Sequence, residues 1–190
     1  MSEYRRRALI GAALCEIAER GSLDVTVAQI AGRAGVSAAL AHHYFGGKED
    51  LILATMRHLL AEFSSVLVAG LREAPDPRAR LTAIVRGSFG REQFHHATIS
   101  AWLTFYAKAL SSEVAAWLLE IYQRRLNSNL VHALRALVPG RDAVRIAEST
   151  AALIDGVYLR EALRGVPSTP ESAIAVIEHH IDLEIRAVRA

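Results

Sequence analysis

Thr26 to Lys48 reads TVAQIAGRAGVSAALAHHYFGGK, and its hydroxyls and glycines divide it into two short helices around a tight connection. Thr26 can cap a helix over about 27–34, and Gln29 three residues later completes a capping-box pattern. Gly35 ends that helix, Ser37 can cap the next over about 38–44, and Gly46 and Gly47 close it. Helices of this length are marginal alone. Ile30, Ala31, Ala34, Val36, Leu40 and Phe45 can build a small shared core, with Ala31 and Ala34 small where two backbones approach. The spacing predicts a helix-turn-helix that must lean on the helices flanking it.

Both flanks carry an apolar stripe suited to that support. Upstream, residues 3–20 read as a helix with Leu9, Ile10, Ala13, Leu14 and Ile17 on one face, ended by Gly21; Cys15 is expected to pack within it. Downstream, Lys48 opens a long helix on which Ile52, Met56, Leu59, Phe63, Val66 and Gly70 recur. Pro75 and Pro77 interrupt it, and further helices are expected at about 77–89, 92–110, 112–138, 141–164 and 170–188. Ser111 or Ser112 with Glu113 marks one start, and Thr169, Pro170 and Glu171 mark another. Gly140, Gly165 and Pro167 separate the others, and no strand-like alternation is evident. The fold class is all-α, with about nine helices. Residues 1–47 are expected to form an N-terminal three-helix helix-turn-helix domain, and 48–190 a C-terminal helical domain whose aromatic residues and apolar stripes suit ligand binding and dimerisation.

Composition narrows the class. Of 190 residues, 52% are hydrophobic and 22% charged, which excludes a disordered chain. A single cysteine excludes an internal disulfide framework and suits a reducing compartment. Glu3, Arg5, Arg6 and Arg7 interrupt any signal-like start, and no uncharged apolar run reaches the ~20 residues of a membrane span. The expectation is a cytoplasmic protein with no membrane partner. Residues 1–60 hold seven Arg/Lys against six Asp/Glu, so a nucleic-acid role rests on where charges lie, not on their number.

The second helix of such a unit enters the major groove by its N-terminal end. Here it would offer Ala38, Ala39, Leu40, His42, His43 and Tyr44. Alanine lets a helix approach base edges closely and can touch a thymine methyl. Lys48 and Arg5, Arg6 and Arg7 would hold phosphates, which orients the protein without reading sequence. Two rivals stand beside this reading. A purely structural bundle predicts no preference for palindromic DNA and no steep salt dependence. An enzyme would need a motif that is missing: there is no phosphate-binding Gly-Lys-Ser/Thr loop, no HExxH pair and no nucleophile elbow. The adjacent pairs His42-His43, His95-His96 and His179-His180 diverge by ~100° on a helix and share a metal poorly. No catalytic residue, metal or cofactor is expected.

Thr26, Ile30-Ala31, Ala34-Gly35-Val36-Ser37, Tyr44-Phe45, Lys48 and Leu51 together resemble the TetR family of bacterial transcriptional repressors. The resemblance implies a dimer on a double-stranded, palindromic operator. It places Ser37, Ala38, Ala39, Leu40, His42, His43, Tyr44 and Lys48 toward the operator, with Thr26 and Val27 near its backbone. His42 stands where the family often has Tyr. Other stretches are similar to the choline-responsive, BetI-type branch: HYF at 43–45, ATMR at 54–57, AWLTFYA at 101–107, RRLNSNL at 124–130 and AALIDGVYLREAL at 151–163. That branch implies control of choline-to-glycine-betaine genes with choline as inducer. Tyr106 and Tyr158 stand where it often has Trp, which leaves a different small or hydrophobic ligand as the alternative.

Aromatic side chains in the C-terminal helices suit such a cation. Trp102, Phe105 and Tyr106 share one side of a helix, Trp117 and Tyr122 lie on the next, and Tyr158 on the one after. Aromatic faces attract quaternary ammonium by ~0.5–2 kcal/mol per contact. Asp155 follows an apolar run, where a cation could neutralise it; Arg160 or Arg124 could do the same, and each aromatic could instead be core. Stripes at Ile174, Ile177, Ile181, Ile185 and Val188, and at Ala147, Ala151, Ile154 and Tyr158, are candidates for a four-helix dimer face, or in part for the protomer's own core. Dimerisation would set two recognition helices ~34–36 Å apart, a spacing that ligand could change.

Overall fold

Side-chain caps fix where the helices begin. A computed structural model of the chain describes residues 2–90, 93–164 and 168–190. Among them are α1 (Ser2–Arg20), α2 (Val27–Arg33), α3 (Ala38–Phe45), α4 (Lys48–Glu73), α5 (Pro77–Phe89), α6 (His96–Ala109), α7 (Glu113–Leu134), α8 (Gly140–Ala162) and α9 (Pro170–Arg189). No strand occurs among the described residues. Thr26, Ser37 and Thr169 cap α2, α3 and α9 as the sequence predicts. Asp76 is a cap the sequence reading passed over: its Oδ1 accepts from the Ala79 N–H at 2.8 Å and starts α5.

Two boundaries move. α6 begins at His96 rather than near 92, because Gly90 is extended and residues 93–95 form a turn before it. α7 ends at Leu134 rather than 138, where the amides of Leu137 and Val138 both turn back to the Leu134 carbonyl. Gly165, Pro167 and the expected start at 92 lie outside the described residues.

The chain packs as two compact units, each drawn from separate stretches of sequence. The first joins the residues up to Ala61 to His96–Leu119, and the second takes the described residues of 62–95 and 120–190. In the first unit α1 packs along α6 and on α2, and α2 on α3. One hydrophobic cluster unites Leu9, Ala13 and Ile17 of α1 with Ile30 and Phe45 of the helix-turn-helix, Leu51 and Met56 of α4, and Ala101 and Phe105 of α6. Burying a side chain of this size stabilises by roughly 1.5–3 kcal/mol. The helix-turn-helix is therefore held by α6 as well as by α1 and α4. Cys15, expected inside, lies exposed on the opposite side of α1.

In the second unit α9 packs against α5 and α8. Its core includes Leu81, Ile84, Phe89, Leu130, Ile146, Ile154, Ile177 and Ile181. Past Phe63 the buried face of α4 turns by one residue, so Leu67 is buried and Val66 exposed. Gly70 lets α5 approach, since a Cβ there would lie 3.3 Å from the Ala83 Cβ. Ile177, Ile181 and Ile185, with Ala147, Ile154 and Tyr158, are buried within their own protomer. That part of the two stripes faces the protomer's own core, because a 3.6-residue repeat marks a buried side and α5, α8 and α9 bury it among themselves, while Ala151, Ile174 and Val188 stay half-buried. Arg78 to Asp182 (2.9 Å) and Arg145 to Glu184 (2.7 Å) add ion pairs across these helices.

α4 is long and apolar enough to span a membrane by length and composition alone, but half of its most apolar window is buried in the protein. It is a core helix.

Candidate functional site

Two short helices hold their geometry through local hydrogen bonds. The Gln29 amide donates to Thr26 Oγ1 at 3.2 Å and the Thr26 amide to Gln29 Oε1 at 2.8 Å, closing the capping box of α2. Gly35 takes φ +68°, the left-handed conformation that glycine adopts without strain, and turns the chain so that the Val36 amide reaches the Ala31 carbonyl. Ser37 Oγ then accepts from the Leu40 amide at 3.2 Å and starts α3. At the far end, Gly46 takes φ +76° and its carbonyl lies 3.0 Å from His42 Nδ1, which must carry the proton to donate to it.

These constraints fix which side of α3 faces outward. Ala41 and Phe45 are buried, Ala38 and Tyr44 pack partly against the core, and Leu40 is half-buried. Ser37, Ala39, His42 and His43 are exposed, and Ala39, His42 and His43 recur at i, i+3 and i+4 on one face. Thr26 and Lys48 are exposed as well. Val27 is different. It was expected near the DNA backbone, but its side chain belongs to the hydrophobic cluster, so only its main chain at the start of α2 remains available there.

Ion pairs brace α2 against α1. Arg33 Nε lies 2.7 Å from Glu16 Oε1, its Nη2 pairs with Glu19, and Arg20 reaches the other Glu16 oxygen at 3.2 Å. The Arg33 hydrogen bond, then that of Arg20, lowers the Glu16 pKa below its ordinary 4.5. Folded Glu16 therefore holds its proton less tightly than the unfolded chain does. Its stabilising contribution is complete above pH about 4.5 and disappears as pH falls through the lowered value. Thermal midpoints measured at pH 7 and in the acid range should fall for the wild type by more than for Glu16→Gln. Equal slopes would show that the brace carries no proton linkage.

The residues expected to meet a ligand fall into separate groups. Trp102 and Tyr106 form a tilted pair on α6 with centroids 6.1 Å apart. Phe105, one residue before Tyr106, faces the other way into the first unit's core and is fully buried. Trp117 is 56% exposed on α7. Tyr122, Asp155 and Tyr158 lie together in the second unit, close enough that each tyrosine feels the Asp155 charge. Burial first, then neighbouring charge, raises both phenol pKa values, so both rings remain neutral. Three phenylalanines that sequence reasoning missed complete this cluster. Phe63 meets Tyr122 edge-on at 5.1 Å, Phe89 stacks on Tyr158 at 5.3 Å, and Phe94 meets Phe89 edge-on at 5.7 Å. The Tyr158 hydroxyl donates to the Ser88 carbonyl. The missed three lie 59–69 residues from their tyrosine partners in sequence, and no local pattern joins them.

Residues 9–55 match the bacterial regulatory proteins of the tetR family, and residues 77–186 match the C-terminal domain of BetI-type transcriptional repressors. The chain belongs to the TetR family, with a BetI-type C-terminal part. This TetR-family chain is 54% identical over 97% of its length to the HTH-type transcriptional regulator BetI of Brucella anthropi, covering 95% of that protein. It is 49% identical over 98% of its length to the regulator of the same name in Rhizobium meliloti, covering 92% of it. Among solved structures, a transcriptional regulator from Pseudomonas aeruginosa PAO1 aligns at TM-score 0.84 and 29% identity, over 100% of this chain and 94% of that one. A regulator from Saccharomonospora viridis, solved in complex with choline, aligns at TM-score 0.84 and 24% identity, over 96% and 97%. The all-α fold, the family and its branch thus agree with what the sequence predicts, and the family regulates transcription rather than catalysing a reaction.

Proposed function

We propose that this TetR-family protein is a cytoplasmic repressor that reads a palindromic operator as a homodimer and loses affinity for it when choline binds. The reading is carried by the outward face of α3, where Ala39, His42 and His43 stand exposed on a helix anchored at both ends. Those residues fit groove contact: small at the entering end, with hydrogen-bonding rings further along.

For the effector, the supporting feature is the cluster of Phe63, Phe89, Phe94, Tyr122 and Tyr158 beside Asp155. Neutral aromatic faces and one carboxylate are the surroundings that favour a quaternary ammonium, the faces by polarity and Asp155 by charge. A regulator answering a different small or hydrophobic ligand is the second reading, favoured by tyrosines at 106 and 158 where the branch often has tryptophan. For the dimer, α8 and α9 line a depression of about 360 Å³ whose apolar part is Ala152, Leu153, Val157, Ala173 and Val176. A second copy would cover it.

Selection of duplexes from random DNA should return a palindrome with half-sites one helical turn apart, bound with a steep salt dependence. Enrichment without symmetry would overturn the operator reading. Calorimetry should give saturable heat with choline, with Asp155→Asn weakening binding about 10–100-fold, the loss of one charge-assisted contact in a partly buried site. Wild-type protein that gives no heat with choline but still selects a palindrome would remove choline and leave repression standing.

A further inference from the structure

Arg5, Arg6 and Arg7 stand in a row on α1, and the structure gives each different surroundings. Arg5 is exposed and has no ion-pair partner among the described residues. Arg7 pairs with Glu3 one turn back, at 3.2 Å. Arg6 crosses to the recognition helix: its guanidinium carbon sits 4.6 Å from the centroid of the Phe45 ring, and its Nη1 donates to the Tyr44 carbonyl at 3.4 Å. Read from the sequence alone, all three share one role, phosphate contact.

We infer that Arg6 is a positioning residue for operator reading, clasping the last turn of α3 so that the helix meets the groove at a fixed pitch. The inference rests on the DNA-binding reading above and adds to it a residue that would act without touching DNA. Three observations carry it. First, the last turn of α3 holds His42 and His43 as well as Tyr44 and Phe45, so any movement of that turn displaces two outward side chains. Second, the turn's other anchors are the buried Phe45, the partly packed Tyr44, the His42 bond to Gly46 and the left-handed Gly46 that ends the helix, so Arg6 adds the hydrogen bond from another helix. Third, the contact needs a guanidinium. Only a flat, delocalised cation lies over a ring while an edge N–H reaches a carbonyl, and a cation at a helix C-terminus is also favoured by the helix dipole.

A phosphate contact and a clasp predict different salt behaviour. Each phosphate neutralised adds ~0.9 to the slope of log affinity against log salt, so removing such a residue from both protomers lowers the slope by ~1.8. A clasp leaves the slope alone and lowers the preference for the operator over other DNA.

The experiment measures binding of full-length protein to a palindrome selected by the wild type and to a random duplex of equal length, across a salt series. Arg6→Ala should weaken palindrome binding about tenfold, the combined scale of an exposed cation–π contact and one hydrogen bond. Random-duplex binding should change less than about twofold, and the slope should match wild type. Arg6→Lys should recover only part of the loss, since it restores charge without the flat fork. A slope reduced by ~1.8, or full recovery by Arg6→Lys, makes Arg6 a phosphate contact and overturns the clasp. An unchanged palindrome-to-random ratio also overturns it, including where Arg6→Ala merely melts earlier, because lost fold stability reduces both affinities together. Wild-type protein with no palindrome preference would overturn both the regulator reading and this one; wild-type preference with an unchanged Arg6→Ala ratio overturns this one alone.

Discussion

Replacing Phe105 with alanine is expected to cost the first unit about 3–5 kcal/mol, the range for truncating a fully buried phenylalanine to leave a cavity. At ~2–4 °C per kcal/mol for a chain of this size, the thermal midpoint should fall by roughly 6–20 °C. Trp117→Ala, although it removes a larger side chain, should change stability by only about 0.5–1 kcal/mol, because that ring is 56% exposed. Denaturation of the two variants under identical conditions checks the contrast. Both residues entered as candidate ligand contacts on the same chemical ground, and the structure separates them completely. Phe105 sits among Leu9, Ile17 and Leu51, where its volume closes the core under the helix-turn-helix. A small effect from Phe105→Ala, or a large one from Trp117→Ala, would contradict this packing.

Ala39→Glu should abolish most operator binding and leave folding intact. Ala39 is exposed in the first turn of α3, with Ser37 capping the helix beside it. A carboxylate at that end of a helix is favoured by the dipole, so the variant should melt at or slightly above the wild-type temperature. Against DNA the same carboxylate faces phosphates and fills the space that lets the helix approach the bases. At ~1–3 kcal/mol for each of two half-sites, the loss is about 30-fold to 10⁴-fold. A titration of labelled palindromic duplex, alongside a thermal melt, separates the two effects. Wild-type affinity in Ala39→Glu would mean that this face of α3 does not meet DNA.

Local chemistry made much of the architecture legible. Thr26 with Gln29, Ser37 with Gly35 and Gly46, and Thr169 with Pro170 each act within four residues of themselves, and each fixes a helix end where the sequence places it. Asp76 escaped notice because the flanking Pro75 and Pro77 read first as a break. The functional residues divide along the same line. Recognition-helix exposure follows from α3's own periodicity once Ala41 and Phe45 are known to be inside. Partner choice is not local. Nothing near Phe89 announces Tyr158, and nothing near Arg6 announces Phe45, since each contact depends on how separate helices pack. The α9 stripe shows the limit most directly: Ile177, Ile181 and Ile185 had to be buried, but their spacing is silent on whether another chain or their own covers them.

Because α6 closes the core beneath the helix-turn-helix, the DNA-reading part of this protein is not a contiguous segment that recombination or an engineer could exchange at one joint. The backbone passes between the units at 61/62, 95/96 and 119/120. A hybrid taking only residues up to Ala61 from a related regulator would set foreign α1 and α4 surfaces against the resident α6, with Ala101 and Phe105 meeting mismatched neighbours. Operator preference should transplant cleanly only when 96–119 travels with the head, or when the exchange is confined to the solvent-facing side of α3.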